Sequence, residues 1–165
     1  MPVHAWTVLC SKVIIDEESK LVSLIESTEK VTVSATSTEL ELASRRIEEG
    51  GSPVIPIELS LASWFVRSNY SVPARGADAP ETAQARYRLL LPDGKRAVDQ
   101  EIPIEIPARS AGRRIKLKLA ALPFLKHDAV LWFTVELQRG RRWEMQTRIP
   151  LEYLVTQEDG PVTDV

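Results

Sequence analysis

The chain has 165 residues, a length at which one hydrophobic core suffices, and its 44% apolar and 27% charged residues exclude a disordered or fibrous chain. Its 21 basic and 23 acidic side chains leave a net charge of −2, too small a field to draw nucleic acid or anionic lipid. The single cysteine, Cys10, rules out an internal disulfide and a multi-cysteine metal cluster and fits a reducing compartment, so the expected location is cytoplasmic.

Met1 to Ser11 lacks the basic start and long apolar stretch of a signal peptide and carries only a short strand-like run at Trp6, Thr7, Val8 and Leu9. Nowhere do about 18 apolar residues run together, so no membrane span is expected. Asp16 to Lys20 separates a strand at Val8 to Ile15 from one at Leu21 to Glu26. Helical signal is sparse and falls at Glu39 to Glu49. From Val54 to Val66, Ile55, Ile57, Leu59 and Leu61 share one parity before Trp64 and Val66 take the other, a phase change that predicts a β-bulge near Ser63. Ser68 to Thr82 mixes Pro73, Gly76 and Pro80 with polar residues and reads as a long mobile loop.

Pro92-Asp93-Gly94-Lys95 then predicts a hairpin between Ala85 to Leu91 and Arg96 to Ile106. Arg114 to Leu119 alternates basic with apolar residues, and Leu122 to Lys126 reads as a helical turn. Arg139-Gly140 joins Val130 to Leu137 with Arg141 to Ile149, where Trp143, Met145, Thr147 and Ile149 are expected to face the core. Pro56, Pro103 and Pro107 mark edges or strand ends, since proline donates nothing to a ladder. The pattern predicts an all-β fold, an antiparallel two-sheet sandwich over residues 1–155 with at most one or two short helices, followed by an acidic, frayed tail at 156–165.

Val13-Ile14-Ile15-Asp16 followed by Leu21 to Glu26, then Tyr87 to Gly94, and a late hairpin from Val135-Glu136-Leu137 to Ile149-Pro150-Leu151 form an ordered set. In that order the chain resembles an uncharacterised bacterial family of small β-sandwich proteins, of the domain-of-unknown-function kind. The resemblance implies an Ig-like or C2-like sandwich and brings no catalytic or binding residues to transfer.

No motif carries an activity. Only His4 and His127 offer an imidazole base, and Asp128, next to His127 on a strand, points to the opposite face. One cysteine and two distant histidines fit no zinc spacing, and Asp16-Glu17-Glu18 lacks the spaced aspartates of a calcium loop. Neither phosphate-loop motif occurs, and Glu101 and Glu105 are explained by cross-strand charge pairing. No cofactor is expected. Trp6, Trp132 and Trp143 sit in apolar strand patterns and are expected in the core, which leaves Trp64, beside the loop containing Tyr70, as the first exposed aromatic candidate and Phe124, with the alternative of plugging one end of the sandwich, as the second.

The basic cluster of Arg109, Arg113, Arg114, Lys116 and Lys118, with Arg139, Arg141 and Arg142 later in the chain, is the most suggestive feature, because Arg114, Lys116 and Lys118 are expected to share one face of a strand. Two readings stand: a cationic stripe for an acidic partner, or a stripe neutralised across strands by Glu101, Glu105, Glu136 and Glu144. The expected function is a non-catalytic protein-interaction module, with a binding domain for an anionic or sugar-like ligand as the alternative and a hydrolase using His127 as a remote one. The expected binding residues are Trp64, Tyr70, Arg114, Lys116 and Lys118. The expected partner is another protein, homo-oligomers are allowed by exposed sheet edges, and membrane or nucleic acid is not expected.

Overall fold

Period-two patterning gives a strand-rich fold in the computed structural model, which describes residues 1–15, 22–68 and 79–158. The elements in chain order are β1 (Val3–Ile15), β2 (Val22–Ser27), β3 (Lys30–Thr36), α1 (Ser37–Glu48), β4 (Val54–Val66), β5 (Glu81–Leu90), β6 (Arg96–Ile106), β7 (Gly112–Pro123), β8 (Ala129–Arg139) and β9 (Arg142–Glu158). They form a four-stranded antiparallel sheet, β2-β1-β4-β7, and a five-stranded sheet, β3-β9-β8-β5-β6. One core joins the two, built from Leu9, Leu61 and Phe65 on the first sheet and Tyr87, Leu89, Ile104, Leu131, Val135 and Tyr153 on the second.

Local chemistry sets the hairpins. At the β5–β6 turn Gly94 takes φ 80, the Asp93 carboxylate accepts from the Lys95 amide at 3.0 Å, and Leu91 donates to the Lys95 carbonyl at 2.8 Å. The expected Arg139-Gly140 connection joins β8 to β9. The helix begins at a capping box: Thr36 Oγ1 accepts from the Glu39 amide at 3.3 Å and Glu39 Oε2 accepts from the Thr36 amide at 2.9 Å. No α1 residue is fully buried, so this helix is a connector rather than part of the core.

Several expectations are corrected. The five-stranded sheet is mixed, because β3 runs parallel to β9 with Lys30 opposite Glu152 and Thr36 opposite Glu158. That pairing joins segments over 100 residues apart, and no turn between them fixes a direction. The strand β3 forms at Lys30–Thr36, ahead of the helix, and β9 continues through Glu158, three residues into the expected tail. No helical turn forms at Leu122 to Lys126, since β7 runs to Pro123.

The bulge expected near Ser63 is absent: β4 pairs with β7 without interruption from Leu59 to Val66, and the irregularity falls between Pro56 and Leu59. Proline at 56 has no amide proton, and β4 there has β7 alone beside it, which makes this the tolerant place to slip register. The parity change near Ser63 has another origin. Ser63 faces inward, 1% exposed, because a polar partner waits for it inside.

That partner belongs to a chain of polar groups at one end of the core. His4 Nε2 and Thr7 Oγ1 lie 2.7 Å apart, and Thr7 Oγ1 and Ser63 Oγ 2.8 Å apart. Tyr87 approaches from the opposite sheet; burial pushes its phenol up to about 12, with the Ser63 side chain opposing the shift. The His4 ring also meets Phe65 edge-on at 5.5 Å, and burial holds its pKa below the ordinary value of 6.5, against a backbone contact at Trp6.

A histidine whose folded pKa is lowered binds fewer protons folded than unfolded, so its stabilising effect is full above the unfolded value and falls as pH drops through about 6.5. We expect urea midpoints of the wild type to fall between about pH 7.5 and about pH 5.5 by more than those of His4→Gln. Equal losses in the two proteins would remove His4 from the pH response.

Candidate functional site

The stripe on β7 is real in geometry. Residues Arg114, Lys116 and Lys118 pair across the ladder with Trp64, Ala62 and Ser60 of β4, so all six project from the outer face of the four-stranded sheet. The next strand, β1, brings Trp6, Val8 and Cys10 to the same face, opposite Trp64, Ala62 and Ser60. The Trp6 and Trp64 rings lie 6.2 Å apart and tilted, and the Arg114 guanidinium stands 5.7 Å from the Trp64 centroid. Gly112 makes this possible: a Cβ there would lie 2.3 Å from the Phe65 carbonyl oxygen and 2.6 Å from Trp64 Nε1.

Small residues form the floor of this face. Cys10 is 0% exposed and Ala62 3%, packed with Val13, Trp6 and Val8. Lys116 reaches from β7 across β4 to donate to the Val13 carbonyl of β1 at 2.8 Å, which makes it a strap as well as a charge. Burial pushes the Cys10 thiol up, against the nearby Lys116 ammonium. The carbonyl carries no net charge, so the positive charge on Lys116 is not cancelled by its bond. Lys118 is exposed, and neither lysine forms an ion pair with a described residue.

Glu101, Glu105, Glu136 and Glu144 lie on β6, β8 and β9 of the other sheet, so none of them stands across a ladder from Arg114, Lys116 or Lys118. Two of them are held there. Glu136 accepts from Arg86 Nε at 2.8 Å and from Arg88 Nη1 at 3.2 Å, with a further Arg86 Nη2 contact, while Glu144 pairs with Arg139 at 2.8 Å.

The outer face of the five-stranded sheet is a layer of guanidinium, carboxylate and indole groups. Arg86 spans β8 to lie 4.2 Å from the Trp143 ring centroid, and Arg148 lies 3.8 Å from that of Trp132. The core reading of the tryptophans is thereby corrected: Trp6, Trp132 and Trp143 are half-buried on outer faces, and the buried core contains leucine, isoleucine, valine, phenylalanine and tyrosine instead. For Trp143 the reason is a register shift between Val135 and Glu136 of β8, which puts Met145 opposite Glu136 on the outer face while Thr147 stays opposite inward Val135. Met145 is accordingly 57% exposed.

The remaining candidates do not join a site. Tyr70 and the Asp16-Glu17-Glu18 turn lie outside the described residues, as does most of the loop expected at Ser68 to Thr82. His127 is exposed in the β7–β8 connection, and Asp128 Oδ1 accepts from the Val155 amide at 2.8 Å. Among the described residues no group of three or more histidine, cysteine or acidic side chains is placed to hold a metal, and no helix is long and apolar enough to cross a membrane. An open cleft between β5, β6 and the β8–β9 turn is lined by Thr82, Gln84, Pro103, Glu105 and Gln138, with one ionisable group. Compared with known proteins, the chain matches no family model and no curated sequence.

Glu136 is the keystone of the second face, its side chain 11% exposed between arginines that are 15% and 14% exposed. Glu136→Gln leaves two guanidiniums facing a neutral amide, and we expect it to cost about 2–3 kcal/mol in urea unfolding, at the low end for a buried pair because water still reaches it. A cost under about 0.5 kcal/mol would show that water already compensates these arginines.

Proposed function

We propose that this chain is a non-catalytic protein-interaction module whose working surface is the outer face of the four-stranded sheet. The observation that supports it is the row Arg114, Lys116 and Lys118, opposite which β4 presents Trp64, Ala62 and Ser60 and no carboxylate. Lys116 and Lys118, like charges on alternate positions of one strand with no ion pair to a described residue, repel one another, and an acidic surface relieves that repulsion while the half-buried indoles of Trp6 and Trp64 supply apolar contact. The partner is a protein with a carboxylate-rich surface, met in the cytoplasm. The proposal extends to the finer class of the fold, an Ig-like or C2-like sandwich of the bacterial family that the chain resembles.

A small anionic ligand shares the same chemistry, but this face is an open sheet surface, and small ligands are held in concave sites that bury most of them. Sugar stacking fits less well, because Trp64 already contacts Arg114 and Trp6.

The test is a crosslinking capture from host lysate with the whole chain as bait, at low and high salt. A stoichiometric protein captured by the wild type, lost at high salt and lost with Lys118→Glu but retained with Arg141→Glu, is the expected result. Capture that survives Lys118→Glu would move the interface off this face, and the absence of any partner at either salt would overturn the module reading.

A further inference from the structure

Two strands stand at the ends of their sheets on the same side of the sandwich. Strand β7 ends the four-stranded sheet and β6 ends the five-stranded sheet, and among the described residues each pairs on one side only, β7 with β4 and β6 with β5. The two approach each other along that side, joined by the connection at residues 107–111. An edge strand keeps a row of backbone donors and acceptors that another chain can use, and charged side chains commonly guard it.

The guards here are of opposite sign. Alternation sends Ile115, Leu117 and Leu119 of β7 and Ile102, Ile104 and Ile106 of β6 into the shared core. It sends Arg114, Lys116 and Lys118 to the outer face of one sheet and Glu101, Pro103 and Glu105 to the outer face of the other. Lys118, Glu101 and Glu105 are exposed, and none of the three forms an ion pair with a described residue. Arg86, opposite Glu101 on β5, is taken up by Glu136 instead. Two β7 edges brought together would oppose lysine to lysine, and two β6 edges glutamate to glutamate. Only β7 against β6 is complementary.

We propose that a second copy of this chain pairs through these edges, β7 of each copy beside β6 of the other, in a two-fold dimer. This rests on the reading that the β7 row receives carboxylates, and it names their source. A half-turn about an axis parallel to the strands exchanges the two layers, so β7 of one copy meets β6 of its partner with both outer faces on the same side. The chain reverses through residues 107–111 to pass from β6 to β7, so the two strands run in opposite directions and each junction is antiparallel. A half-turn also leaves every residue at its own height along the strands, and Ile106 and Gly112 flank the connection at one end. Counting away from that end, with outer residue set against outer residue, places Lys118 beside the partner's Glu101 and Arg114 beside the partner's Glu105, with Lys116 between them. Pro103 withholds an amide from the ladder, as edge positions tolerate. The interface is isologous and holds both junctions, so assembly stops at two copies. Ladder hydrogen bonds supply the pairing, and the charges select it.

The test is sedimentation of the full chain, wild type and two charge-reversed variants, at low and high salt. The wild type is expected to sediment at low salt with twice the 18.5 kDa mass of one chain, and to dissociate more readily as salt is raised. Lys118→Glu and Glu101→Lys, each alone, set like charges across both junctions and should weaken the dimer by about tenfold or more. An equimolar mixture of the two variants should recover it, because one copy of each meets the other with opposite charges at both junctions. That recovery also shows that both variants fold. A mixture that stays monomeric, or a dimer that survives either variant alone, would overturn the pairing of these edges. A monomeric wild type that still captures an acidic protein through Lys118 would overturn the dimer and leave the module reading standing, whereas a monomer that captures nothing would remove both.

Discussion

Strand β8 runs through the middle of the five-stranded sheet, and the alternation that turns Leu131, Phe133, Val135 and Leu137 into the core necessarily turns Trp132, Thr134, Glu136 and Gln138 out. The inner set ties the two sheets together. Among the described residues no third layer lies above the outer set, and long side chains from the neighbouring strands cover it: Arg86 and Arg88 from β5, Arg148 from β9. Their apolar stems cover the sheet while their heads meet Glu136 or an indole ring, which is why Glu136 and Thr134 are buried on a nominally outer face.

The same constraint acts on the four-stranded sheet, with a different solution. There β4 is buried continuously from Leu59 to Ser63, because its outward residues Ser60 and Ala62 are small and lie beneath longer neighbours. Lys116 serves as cover by reaching to the Val13 carbonyl. The contrast between the faces is in the charges. On the five-stranded sheet carboxylates are interleaved with arginines, and a shortage appears at Arg148. On β7 the residues opposite the basic row are Trp64, Ala62 and Ser60, and among the described residues Lys116 and Lys118 form no ion pair.

What the sequence revealed followed from how local each determinant is. Pro92-Asp93-Gly94-Lys95 and Arg139-Gly140 carry their turn chemistry within four residues, so both hairpins were legible. The basic parity of Arg114, Lys116 and Lys118 was legible for the same reason, since alternation along one strand requires no knowledge of its neighbours. Two kinds of feature were not. The parallel pairing of β3 with β9 depends on a partner far away in the chain, and the sides taken by the tryptophans depend on register: one shift beside Glu136 sends Trp143 and Met145 outward. Reading tryptophan as core by its hydrophobicity also overlooked that a flat ring beside arginine is well used on an outer face. The role of Glu136 was missed because its partners Arg86 and Arg88 are distant in sequence and meet it only across the β5–β8 ladder.

Backbone amide shift mapping of the full chain during titration with a hexaglutamate peptide at low salt tests most directly the proposal that the β7 row receives acidic protein segments. The expected result is shifts concentrated on Ser60 to Trp64 and Arg114 to Lys118 that disappear as salt is raised. Shifts spread evenly over the surface, or confined to β8 and β9, would contradict it.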